Sequence, residues 1–190
     1  MQLPKPHYQR QASDPQWLAD AVQFHGHLGP AAIAGVRVGM AGLRAVDAKG
    51  FFDIDVTCEG PMVEPPQSCF LDGLQVATGA TMGKRSIHWV KADAIVVRFK
   101  NTKSGKTAVV RPTSQLLELV PAFTSRPSPE MDHDQSPGKP MAEGHMESLA
   151  RRIAAMPENA LAVVATEDKT QLWPDQKMES PPLAVHGGSW

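Results

Sequence analysis

At 190 residues and a net charge of -1, the chain has the length for one domain with a real core plus an appendage, and it carries no electrostatic argument for nucleic acid or an anionic membrane surface. Apolar residues make up 42% and charged residues 21%, an ordinary globular balance, and no apolar run approaches the length needed to span a bilayer. The opening Met1-Gln2-Leu3-Pro4-Lys5-Pro6-His7 lacks the apolar core of a signal peptide. A cytoplasmic protein is therefore expected, in which Cys58 and Cys69 stay thiols available to a metal.

Residues 1–12 are polar and read as an arm. Ser13-Asp14-Pro15 is a helix start, a capping side chain followed by proline where a missing N–H does no harm. Trp17, Leu18, Ala21, Val22 and Phe24 form the buried face of that helix, and Gly26 should close it in a left-handed conformation. Pro30 opens a second helix, with Ile33, Val36, Met40 and Leu43 on one face. Gly35, Gly39 and Gly42 lie close together on a neighbouring face, and each interior glycine costs about 1 kcal/mol of helix stability. Three of them imply that another backbone or a ligand approaches closely, and tight core or dimer packing is the simpler form of that reading.

Partial alternation over Phe51–Cys58 predicts a strand, followed by a Pro-rich loop and a short helix over 69–77 opened by Ser68. Three further strands are expected at 86–91, 94–100 and 107–111, the last two joined by a polar hairpin connection at 101–106. Thr113 should open a helix over 114–120. Residues 124–141 are Pro-rich and aperiodic, a linker. An amphipathic helix at 147–156 and a short apolar strand at 160–165 then return to the core, before a polar tail over 167–190. The resulting units are a core domain with its arm at 1–123, the linker, a helix plus strand at 142–166, and the tail. Without a regular βαβ alternation the fold class is α+β, a mixed or antiparallel sheet packed with helices.

His25 and His27 are the first candidates for chemistry. On an extended turn, residues two apart point the same way and can share a metal, and Gly26 between them favours such a turn; the alternative is a pair of histidines capping helix ends. Cys69 at the start of a helix gains from the positive helix end, which favours the thiolate that metals require, although a free cysteine is more often a small buried residue. Cys58, at the end of a strand, is either a fourth ligand or buried filler. Asp72, Gln75, Thr78, Thr81 and Lys84 form a polar series on an otherwise small and apolar segment. The run from Gly79 to Lys84 is not a phosphate-binding P-loop, because it has one residue too few between its glycines and Lys84 is followed by Arg85. His88, His133, His145 and His186 are isolated and read as surface or structural residues.

Three segments in order, Phe24-His25-Gly26-His27-Leu28-Gly29-Pro30 with Gly35-Val36-Arg37-Val38-Gly39, then Ser68-Cys69-Phe70-Leu71-Asp72-Gly73-Leu74-Gln75, then Thr78-Gly79-Ala80-Thr81-Met82-Gly83-Lys84, resemble the FmdE family, a component of formylmethanofuran dehydrogenase and its relatives. The resemblance covers roughly residues 14–125. It implies an α+β core, usually homodimeric, with a metal-associated site at the His-x-His turn and the cysteine. Gly29 and Ala80 stand where many relatives carry cysteine, and no cysteine follows Cys69, so the zinc finger appended to some members is missing. The soft donors left are His25, His27, Cys69 and Cys58.

Two functional readings follow. One is a metal-dependent enzyme or enzyme subunit of one-carbon or cofactor metabolism, acting on a small molecule. Its divalent transition metal, zinc before iron, would sit on those donors, with Asp72 or Lys84 moving protons and Gln75, Thr78 and Thr81 binding the cofactor. The other is a non-catalytic homodimeric accessory module that binds a metal, a cofactor or a partner subunit, for which the scarcity of an acid–base pair speaks. A third reading, in which these side chains only hold a turn, is weakened by the resemblance.

Overall fold

The computed structural model describes residues 4–123 and 143–167; the linker expected over 124–141, and the tail beyond Glu167, lie outside them. Among the described residues, six helices and five strands follow in the order α1 (Gln16–His25), α2 (Pro30–Val46), β1 (Ile54–Gly60), α3 (Cys69–Thr78), β2 (Ile87–Lys91), β3 (Val96–Asn101), β4 (Thr107–Pro112), α4 (Ser114–Glu118), a 3-10 turn (Pro121–Phe123), α5 (Glu143–Ala155), α6 (Glu158–Leu161) and β5 (Ala162–Glu167). The strands form a sheet in the order β2-β1-β3-β4-β5. In it β1 and β2 run parallel and the other pairs are antiparallel. This is the expected α+β class with a mixed sheet. Among the described residues no helix is long and apolar enough to cross a membrane.

β1 shows how the sheet meets the helices. Ile54, Val56, Cys58 and Gly60 are buried and the residues between them only half so, the alternation of a strand with one face on a core. The strand begins at Ile54 and not at Phe51 as the pattern predicts. Phe51 has a left-handed φ of 60° and its N–H donates to the Thr78 carbonyl at 2.7 Å, so Phe51 and Phe52 form a turn pinned to the end of α3 and leave their rings exposed. The β3–β4 connection matches expectation. Asn101 organises it by accepting from the backbone N–H groups of Lys103 and Ser104 and donating to the carbonyls of Val46 and Asp47. Thr113 caps α4 by accepting from Leu116 N–H at 3.1 Å. The start of the expected last strand is taken by the single turn α6.

α2 is the central element. Proline at its first position supplies the fixed φ of a helix start, and almost its whole length is buried. Its glycines mark the approach of another backbone. A Cβ on Gly35 would lie 2.1 Å from the Phe70 carbonyl oxygen, and one on Gly73 of α3 would lie 1.9 Å from the Ala32 carbonyl oxygen. The two helices therefore touch backbone to backbone. Gly42, further along, leaves its space to the Phe99 ring of β3.

Asp14 does not cap α1. Pro15 occupies the cap position with no side-chain bond, and the Asp14 carboxylate turns instead to the arm and to α5. It accepts from Tyr8 Oη at 2.6 Å, Gln11 N–H at 2.8 Å and the Arg151 guanidinium at 3.0 and 3.1 Å. Its side chain is only 4% exposed, and a buried carboxylate gains more from a cation than from one helix N–H. Arg151 holds the acid well below its ordinary range, at about 2, with Tyr8 and the Gln11 N–H acting the same way against burial.

Two outcomes test this architecture. Gly73→Ala should cost about 2–3 kcal/mol in urea denaturation, because a methyl group must displace backbone. Gly144→Ala, where nothing lies within 4 Å, should cost nothing; equal effects would contradict the backbone contact. For Asp14, the folded pKa lies below the unfolded value of 3.8, so its stabilisation is complete above that pH and is lost as pH falls through about 2. Asp14→Asn should thus cost roughly 2 kcal/mol at neutral pH, with the gap to wild type closing across that acidic window.

Candidate functional site

The site forms where the C-terminal end of α1 meets the N-terminal end of α3. α1 runs through His25, and Gly26 then takes a left-handed φ of 98° while its N–H closes onto the Val22 carbonyl at 2.7 Å. The turn sets His27 into a short parallel bridge with His7 of the arm. The two histidines thus straddle a helix end, and their rings still face each other, with centroids 4.6 Å apart and planes tilted by 42°. Gly29 leaves room for that arrangement, since a Cβ there would lie 2.9 Å from His27 Nε2.

Across from them, Cys69 is the first residue of α3 and Asp72 lies in its first turn. His25 Nδ1 and Asp72 Oδ2 are 2.8 Å apart, with the imidazole 8% and the carboxylate 38% exposed. The Asp72 hydrogen bond, helped by Cys69, pushes the His25 ring up to about 9 against the opposing effect of burial. Nε2 of His25 is buried and has no hydrogen-bond partner among the described residues.

Two cavities share this wall. One, of about 300 Å³, is mostly apolar and lined by His25, His27, Pro30, Cys69, Val120 and Met146 among others. The other, of about 380 Å³, is lined by His25, Cys69, Asp72, Gln75, Met82 and Trp89 among others. A larger hollow of about 540 Å³ between the arm and α5 includes His27 but none of His25, Cys69 or Asp72.

Of the residues singled out in the sequence, the structure brings together His25, His27, Cys69, Asp72 and Gln75. It does not bring in the others. Cys58 is fully buried on β1, opposite Trp89 and Val97, and lines neither cavity. Burial, with Glu59 beside it, pushes its thiol up to about 12, away from the thiolate a metal requires. Thr78 is buried too, its hydroxyl donating to the Leu74 carbonyl at 2.6 Å and accepting from Ala80 N–H at 3.1 Å. Thr81 shapes the next turn by accepting from Lys84 N–H at 3.2 Å. Lys84 caps the far end of α3, Nζ donating to the Gly79 carbonyl at 2.7 Å beside the Phe51 and Phe52 rings. At 1.5 Å per residue, that end is about 15 Å from Cys69. The sequence reading assigned no role to Met82, Trp89, Val120 and Met146 and took His88 as a surface or structural residue; Met82 reaches the cavity from the turn after α3, and the others from elements more distant in the chain. An indole beside a histidine on a short strand is the one signal that pointed there.

A helix-backed mixed sheet with a histidine- and thiol-lined cavity at the junction of two helix ends defines the class of domain. The chain belongs to the FmdE family: the family model "FmdE, Molybdenum formylmethanofuran dehydrogenase operon" matches residues 24–163 and so takes in both sides of the cavity wall. The chain is also 30% identical over 95 residues to the "Probable S-adenosyl-L-methionine-binding protein" of Archaeoglobus fulgidus. That alignment takes in 48% of this chain and 26% of the relative, so the chain spans about a quarter of the relative's length.

Removing the carboxylate partner should release the ring. In metal-free protein, Asp72→Asn should lower the His25 pKa from about 9 toward 6.5, read by NMR titration of the imidazole. The raised folded value means that the ring's contribution to stability is complete below pH 6.5 and is lost as pH rises through about 9. Wild type should therefore lose more stability than Asp72→Asn over that interval.

Proposed function

We propose that this FmdE protein binds a small molecule, a one-carbon carrier or another cofactor, beside a transition metal anchored on His25, and acts on it as an enzyme or as part of one. One observation carries the reading: His25 Nδ1 is tied to a carboxylate while Nε2 is buried and unpartnered among the described residues. That is the habit of a metal-ligating histidine, whose second nitrogen is fixed by a carboxylate. A buried nitrogen without a partner costs about 1–3 kcal/mol, which a bound ion would remove.

Among the described residues no group of three His, Cys, Asp or Glu side chains converges on one ion position. The donors therefore fit an anchor and not a closed cage. His27 or Cys69, on the same cavity wall, would be the second protein ligand, with the bound molecule or water completing the set, and imidazole with thiolate suits zinc first and iron second. When bound, the ion would supply Lewis acidity toward a carbonyl of the ligand. The chain's own part is to hold the His25 ring through Asp72, which is also the candidate proton-transfer group, and to place the ligand against Gln75 and the apolar walls. The link to one-carbon metabolism rests on family association, and the name of the Archaeoglobus relative favours a small-molecule cofactor in the same place.

A second reading is an accessory module that binds without turnover. Its support is the position of Lys84 at the far end of α3, which leaves Asp72 without an acid–base partner from that segment. The homodimer implied by the family resemblance belongs to both readings; β5, with Val163 62% exposed, is a free sheet edge among the described residues.

Elemental mass spectrometry of untagged protein should find near-stoichiometric zinc or iron. His25→Ala and Cys69→Ser should lose it, and Asp72→Asn should weaken it by about tenfold or more. Metal absent from carefully prepared wild type, or retained in full by His25→Ala, would overturn the assignment.

A further inference from the structure

The cavity of about 380 Å³ has a wall apart from the proposed metal ligands. Trp89 lies on β2 in register with Cys58, which places its indole on the helix-covered side of the sheet. Its Nε1–H donates to the Gly60 carbonyl at 3.0 Å, so the ring is held in place, yet 38% of the residue remains exposed. Leu71, Pro65 and the exposed Met82 extend this apolar surface. A fixed, half-open indole on a cavity wall is a stacking platform for a flat ring.

Ser68, Asp72, Gln75 and His88 bring polar side chains to the same cavity, beside His25 and Cys69. Asp72 and Gln75 are three residues apart on α3 and so share a face. Asp72 commits Oδ2 to His25, while Oδ1 has no hydrogen-bond partner among the described residues. Gln75 uses Oε1 for a long contact with Met82 N–H at 3.4 Å, and its amide NH₂ is unpartnered among the described residues. Asp72 and Gln75 thus add one carboxylate acceptor and one amide donor to the polar groups of Ser68 and His88 beside an aromatic face, in a volume within the range of about 300–1,000 Å³ usual for small-ligand sites.

We propose that this cavity binds a planar nitrogen heterocycle carrying an exocyclic amino group next to a ring nitrogen, as in an aminopurine or aminopyrimidine. The ring stacks on Trp89, the amino group donates to Asp72 Oδ1, and the ring nitrogen accepts from the Gln75 amide. In the same stacking orientation a ring with an oxo group and a ring N–H on that edge presents an acceptor to the carboxylate and a donor to the amide, so it must turn over on the indole to pair and binds more weakly. This inference rests on the reading that the cavity takes a small molecule, and not on the metal.

The test is calorimetric titration of the full chain, after chelator treatment, with two matched pairs: adenosine against inosine, and cytidine against uridine. The amino member of at least one pair should bind, and about tenfold or more tighter than its oxo partner. Trp89→Ala should weaken that binding by about tenfold. Should that variant fail to fold, Trp89→Leu keeps apolar bulk without the aromatic face and carries the same expectation. Gln75→Leu should erase most of the preference within the pair. No binding of any of the four, equal binding within both pairs, or unchanged affinity in the folded Trp89 variant would overturn the proposal. Ring binding by protein that never holds metal would uphold it and remove the metal reading; metal without ring binding would do the reverse.

Discussion

The contact on which the rest of this structure depends is that of α2 with α3 through Gly35 and Gly73. Neither position has space for a Cβ, since carbonyl oxygens of the opposite helix already occupy it. Helices that pack through side chains lie about 8–10 Å apart, and backbone contact through glycine is the way to bring them closer. The helix penalty of the glycines is offset by that burial. The consequence is positional: α3 is drawn into the fold so that its first turn, with Cys69 and Asp72, stands beside the end of α1. Its far end is fastened separately, by the Phe51 N–H to Thr78 and by Lys84 to Gly79.

Within that frame, His25 is the residue with unspent chemistry. The carboxylate of Asp72 fixes one nitrogen and raises the ring's proton affinity, while burial leaves the other nitrogen without a partner among the described residues. A core histidine at rest has both nitrogens satisfied. The same ring and Cys69 form the wall between a mostly apolar cavity and one with a donor, an acceptor and an indole, so a group held on that wall can be addressed from either side.

The arm and α5 complete the enclosure through a different kind of force. Arg151 reaches from α5 to the Asp14 carboxylate and to the Gln9 carbonyl, while Arg37 of α2 donates to the Ala154 and Met156 carbonyls at the other end of α5. α5 carries Met146 into the apolar cavity, and the arm carries His7 to the bridge with His27. Elements far apart in the chain are thus tied to the site by one buried ion pair, Arg151 with Asp14, whose stabilisation is lost only in strong acid, and by guanidinium-to-carbonyl hydrogen bonds.

Much of this was legible from residues alone, because the signals are local. Gly26 after an amphipathic run, proline at the start of α2, a polar hairpin loop around Asn101 and Thr113 before an apolar turn each act within a few residues, and each forms as expected. The glycine row announced a close approach, and His25, His27, Cys69 and Asp72, singled out in the sequence, line the adjoining cavities. What tertiary structure alone decided is which polar side chains meet. Cys58 and Thr78 look as reactive in sequence as Cys69 and Gln75, but strand alternation turns Cys58 into the core and a hydroxyl-to-carbonyl bond commits Thr78 to its own helix. The parallel pairing of β2 with β1 delivers Trp89 to the cavity, and packing of α5 delivers Met146, through contacts between residues remote in sequence that no local pattern encodes. Local propensity acts over a turn or a strand; the choice among buried partners depends on which surfaces can be taken out of water together.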